Sequence, residues 1–92
     1  MRPQLTLGLF RAEEEQLEEA MTVLGMAEGT DVRHQFEPQG TSWVRFSDRG
    51  RVVFHTWPER QLISVDVWSD KRVDLNATLA TLGWEPLEGM RP

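Results

Sequence analysis

The sequence predicts an α+β fold: a two-layer sandwich in which one antiparallel sheet carries two helices on a single face. Three observations lead there. Alternation of strand period recurs at 4–10, 32–36 and 61–68, and the β-branched and aromatic run from Val52 makes 51–57 a strand that pairs with 41–47. Only two stretches carry the helical period, with Leu17, Met21 and Leu24 on one face of the first and Leu75, Leu79 and Leu82 on one face of the second. Turn chemistry punctuates the strands, through Pro38 with Gly40, Ser47-Asp48-Arg49-Gly50, and Pro58.

Each element has its own local reason. In residues 4–10, Leu5, Leu7 and Leu9 alternate with Thr6, Gly8 and Phe10, which places two sets of side chains on opposite faces. The first helix opens at Ala12 with an acidic run that suits the positive end of the helix dipole, and Gly25 and Gly29 mark its end. Val32, His34 and Phe36 form one face of the next strand, which Pro38 and Gly40 stop. Residues 41–47 and 51–57 pair as a hairpin, with Gly50 supplying positive φ in the turn. In the strand Gln61 to Trp68, Ile63, Val65 and Val67 face one way, and Leu62, Ser64, Asp66 and Trp68 the other. Asp74 or a neighbour opens the second helix, and Gly83 stops it. Trp84 to Leu87 can add a short strand, which Pro86 confines to the sheet edge.

Two helices leave one face of such a sheet bare, while its central strands carry apolar groups on both. A second copy of the same surface is the simplest cover, so the pattern predicts a homodimer.

Composition narrows the function. The 92 residues, 1–92, suffice for a single domain with a modest core, and 39% hydrophobic with 27% charged residues is ordinary for a soluble chain. A net charge of −5 argues against nucleic acid, whose binding rests on neutralising phosphates. No apolar run reaches membrane-spanning length and no signal-type segment opens the chain, so a cytoplasmic protein is expected. The absence of cysteine removes disulfides and thiolate metal sites. Two histidines with scattered carboxylates define no metal site either. Ser42, His55 and Asp66 have the residue types of a hydrolytic triad, but nothing in their spacing sets that geometry.

The most informative stretch is Val52 to Arg60, a strand that Pro58 ends with His55, Trp57 and Glu59 gathered at its tip. His55-Thr56-Trp57-Pro58-Glu59 resembles the signature of the prokaryotic S-adenosylmethionine decarboxylases, pyruvoyl enzymes of polyamine (spermidine) biosynthesis. The flanks agree in register. His34, Phe36, Pro38, Gly40 and Ser42 match the family's His, Phe, Pro, Gly and Ser, and Val65-Asp66-Val67-Trp68 matches its strand after the signature.

The resemblance implies an S-adenosylmethionine decarboxylase-like domain whose protomers pair sheet to sheet as an αββα dimer, with active sites near the interface. It also implies a self-cleaving serine five residues ahead of the signature histidine, which becomes the pyruvoyl group. Here that position is Gly50, preceded by Arg49 where the family carries glutamate. Glycine has neither the hydroxyl for an acyl shift nor the β carbon for elimination. The family's proton-donating cysteine falls on Asp70. The pyruvoyl cofactor is therefore expected to be absent, and no catalytic residue is assigned with its family role. Ser42 aligns with a serine that assists processing, and an odd offset along an alternating strand argues against Ser47 replacing the missing nucleophile. The binding residues fare better. Phe36 and His55 match the pair that sandwiches the adenine ring, and Glu59 matches a carboxylate suited to ribose hydroxyls. The expectation is a non-processing relative, a pseudoenzyme binding S-adenosylmethionine or a related nucleoside to sense it or regulate an active relative. The alternatives are new acid–base chemistry at His55 or a purely structural protein.

Overall fold

A computed structural model describes residues 4–87. Its elements run β1 (Gln4–Arg11), α1 (Leu17–Val23), β2 (Thr30–Gln35), β3 (Thr41–Ser47), β4 (Gly50–Trp57), β5 (Leu62–Ser69), α2 (Leu75–Ala80) and β6 (Glu85–Pro86). The strands make one sheet in the order β2-β3-β4-β5-β1-β6. Every pairing is antiparallel.

The predicted helices form, with one change of onset. The acidic segment after Ala12 does not enter an α-helix directly; Glu14–Gln16 is a 3-10 turn, and α-helical geometry starts at Leu17. Leu17 is the first buried anchor, so packing sets where the helix becomes regular. Asp74 caps α2, its carboxylate accepting from Ala77 N–H at 3.1 Å. Both helices close on a left-handed glycine, Gly25 and Gly83. The residue after each, Met26 or Trp84, donates its backbone N–H back into the last turn and is buried. Residues 85 and 86 pair with β1 as the expected edge strand. Beyond β2, the Glu37–Pro38 peptide is cis.

The two sheet faces differ as the alternation requires. Under the helices lie Phe10, Phe54, Ile63, Val65 and Val67, packed with Leu17, Met21, Leu75, Leu79 and Trp84. The other face has no helix over it among the described residues. Of the eight exposed large hydrophobic residues among those described, seven belong to it: Leu5, Leu7, Val32, Phe36, Phe46, Trp57 and Trp68.

One charged side chain breaks the core pattern. Arg45 occupies an inward position of β3 and is 5% exposed. Its guanidinium donates to Asp31 at 2.7 and 3.0 Å, to Glu18 at 3.2 and 3.4 Å, and to the carbonyls of Met26 and Ala27 at 3.2 and 3.0 Å. A buried cation is tolerable only when its donors are matched in this way. Asp31 first and then Glu18 hold Arg45 protonated against the cost of burial. In return, Arg45 lowers the Asp31 carboxyl below its ordinary value. The network ties β2 and α1 to the centre of the sheet.

Candidate functional site

The hairpin makes the site. A two-residue turn at Asp48-Arg49 sets the β3–β4 register, and that register carries Ser42 opposite His55. Ser42 Oγ and His55 Nδ1 share a hydrogen bond of 2.7 Å. The neighbouring strands extend the row on both sides, giving His34, Ser42, His55, Ser64 and Leu9 across β2, β3, β4, β5 and β1. All five point to the open face. The adjacent row reads Val32, Val44, Val53, Asp66 and Leu7, so Asp66 stands as a lone carboxylate among apolar neighbours. It makes no hydrogen bond to His55 among the described contacts, so the three residue types of a triad do not assemble as one.

Phe36 lies just beyond β2, its N–H donating to Gly40 O at 2.8 Å. Its ring is 48% exposed and meets the His34 ring edge-on, with centroids 4.5 Å apart. Phe36 and His55 therefore share a face without touching. Their backbones are separated by the width of β3, on the order of 10 Å. His34 is the site residue that sequence reasoning passed over; its alternation with Phe36 and its place opposite Ser42 were the available signals. Glu59 is exposed on the 3-10 turn Pro58–Arg60 that follows Trp57, at the same end of the sheet. A depression nearby, on the helix side, is lined by Glu13, Glu14, Thr56, Pro58, Gln61 and Leu62 among others, and includes neither Phe36 nor His55. Within it Thr56 Oγ donates to Glu14 at 2.7 Å and accepts from Thr41 N–H at 2.9 Å.

Gly50 and Asp70 sit at the opposite end. Gly50 opens β4, five residues and roughly 17 Å of strand from His55. It pairs with Ser47 on one side and Ser69 on the other, and Asp70 N–H donates to Arg49 O at 3.1 Å. Strand parity does not keep Ser47 away from this position, contrary to expectation: the chain reverses between the two residues, so Ser47 faces Gly50 directly. Its hydroxyl instead accepts from Arg49 N–H at 3.1 Å, closing the turn. Gly50 has φ +144°, and a β carbon built on it would fall onto the Trp68 carbonyl oxygen and lie 2.8 Å from the Trp68 carbonyl carbon. A pyruvoyl precursor side chain does not fit this backbone. Among the described residues no three His, Asp or Glu side chains gather as a metal site, and no helix is long and apolar enough to cross a membrane.

A profile of the family described as S-adenosylmethionine decarboxylase matches residues 10–83. The chain belongs to that family. Among its relatives, the S-adenosylmethionine decarboxylase proenzyme of Caldanaerobacter subterraneus subsp. tengcongensis is 37% identical over 59 residues, 60% of this chain and 48% of the relative. The proenzyme of Caldicellulosiruptor saccharolyticus is 37% identical over 65 residues, 65% of this chain and 52% of that one. The chain thus spans about half the length of these relatives. The fold matches the crystal structure of the adenosylmethionine decarboxylase from Aquifex aeolicus VF5 with a TM-score of 0.57 at 19% identity, covering 88% of this chain and 78% of that one. In this chain of the S-adenosylmethionine decarboxylase family, β4 carries His55, bonded to Ser42, towards one end and Gly50 at the other.

Proposed function

We propose that this protein binds an adenosyl-type ligand on the open face of its sheet without forming a pyruvoyl group, and acts in sensing or regulation as a homodimer. The observation that carries this reading is the contrast along β4. Phe36, His34 and the Ser42–His55 pair stand together on one accessible face, while the position assigned to the pyruvoyl serine is Gly50. A half-exposed aromatic ring at a strand end costs solvation unless something covers it, and a purine offers a matching π surface. Glu59 supplies a carboxylate for ribose hydroxyls, and the net charge of −5 suits a cationic sulfonium. The seven apolar residues of the open face favour a partner sheet, which would turn a flat surface into a cleft.

Stacking adds about 1 kcal/mol beyond burial, and no Schiff base holds the ligand's amine, so modest affinity is expected. Titration calorimetry with S-adenosylmethionine on wild type and Phe36→Ala tests the reading. Binding should be measurable in the first and lost in the second, with the melting temperature of the variant almost unchanged. A wild type that binds nothing, together with a destabilised Phe36→Ala, would show that the ring is ordinary packing and end the proposal.

The Ser42–His55 hydrogen bond favours a second reading, acid–base chemistry at His55, since an imidazole fixed through Nδ1 presents Nε2 to a ligand. Turnover of the bound nucleoside that vanishes in His55→Gln while binding persists would select it.

A further inference from the structure

We infer that the turn at Gly50 has become a closed corner of the sheet, so that self-processing is lost in the backbone and does not return when a serine is put back. The inference shares with the proposed function the register that places Gly50 at the processing position. It concerns the opposite end of β4 from the binding residues.

A missing hydroxyl alone would be a one-atom-group loss, reversible by a single substitution. The geometry describes something more. Gly50 is flanked by backbone on both sides, Ser47 across the hairpin and Ser69 across the β4–β5 ladder. Its φ of +144° is a conformation that a side-chain-bearing L residue rarely adopts. The carbon that serine would add meets backbone: the Trp68 carbonyl, and Ser69 Cα at 2.9 Å. Backbone cannot rotate aside as a side-chain tip can. The peptide could relieve the clash by turning, but Asp70 N–H holds the Arg49 carbonyl in the ladder and Ser47 Oγ holds the Arg49 N–H. An acyl shift needs the serine oxygen against the preceding carbonyl carbon, in a peptide free to leave planarity. This corner supplies neither the space nor the freedom. The same bonds engage Ser47, the nearest alternative nucleophile.

Intact mass spectrometry after prolonged incubation tests this on wild type, Gly50→Ser and the double variant Arg49→Glu/Gly50→Ser, with Gly50→Ala as control. One uncleaved mass is expected in all four. Gly50→Ser and Gly50→Ala should lose similar melting temperature, roughly 10 °C or more, because the obstacle is the β carbon and not the hydroxyl. If both fail to fold, the clash is confirmed in its strongest form. Two fragments from any serine variant would overturn the inference. So would a serine or alanine variant as stable as wild type, or a loss confined to serine. Cleavage in wild type would refute both this inference and the non-processing reading, whereas ligand calorimetry on the uncleaved protein bears on the binding proposal alone.

Discussion

The same strands build both faces of the sheet, and the two faces have opposite characters. On the helix side the inward positions of β5 and of the middle of β3 and β4 are buried, down to a guanidinium whose donors meet two carboxylates and two carbonyls. On the open side Leu5 and Leu7 are about half exposed, Asp66 has apolar neighbours, and Ser42 and His55 satisfy each other. One face holds the fold. The other is free to hold something else, because changes there leave the core untouched.

Three perturbations break or sharpen that comparison. The largest effect is expected from Leu79→Ala, which empties a fully buried site under the helices and should cost about 3 kcal/mol in denaturant unfolding. The matching change on the open face, Leu7→Ala, removes the same atoms from a 51% exposed position and should cost less than about 1 kcal/mol at low protein concentration. Equal costs would erase the distinction between the faces.

An intermediate effect is expected in assembly. Leu7→Lys adds a charge to the open face, so light scattering should report dissociation to monomers while circular dichroism stays native. A wild type that is already monomeric at micromolar concentration would remove the dimer from the proposal.

The smallest effect is in pH dependence. Arg45 lowers the Asp31 carboxyl below its ordinary value of 3.8, so Asp31 contributes stability above that value and loses it as pH falls through the lower folded value. The melting temperature should therefore drop more steeply below about pH 4 in wild type than in Asp31→Asn. The difference should be modest, because Asp31 keeps about a third of its side-chain surface in water.

The outer strands were legible from their alternation, the central hairpin from its β-branched and aromatic residues, and the boundaries from turns that carry Pro or Gly. The bare face was legible too, by counting helices against sheet faces. Arg45 was not: its inward parity beside Trp43 is visible in the sequence, but its partners Asp31 and Glu18 come from other elements and only the fold unites them. Ser42 facing His55 was readable in principle. Once the turn is fixed at Asp48-Arg49, pairing Ser47 with Gly50 forces the pair five residues further along. The same reasoning would have placed Ser47 opposite Gly50, where counting along the chain put it on the wrong face. The Gly50 corner was half legible. Sequence shows a missing hydroxyl, and only packing shows that Trp68 has taken the space.

β2 is the longer of the two edge strands, and all six of its residues are exposed. It hangs on the sheet through β3 and is pinned by the Asp31–Arg45 ion pair. Opening is easiest where buried apolar contacts are fewest, so amide hydrogen exchange is expected to be fastest along this strand and slowest in β4 and β5. His34 lies on this strand and Phe36 directly follows it. A ligand settling on these rings would thus be drawn into the least protected part of the molecule, and its arrival would be written there as slowed exchange rather than as a change of shape.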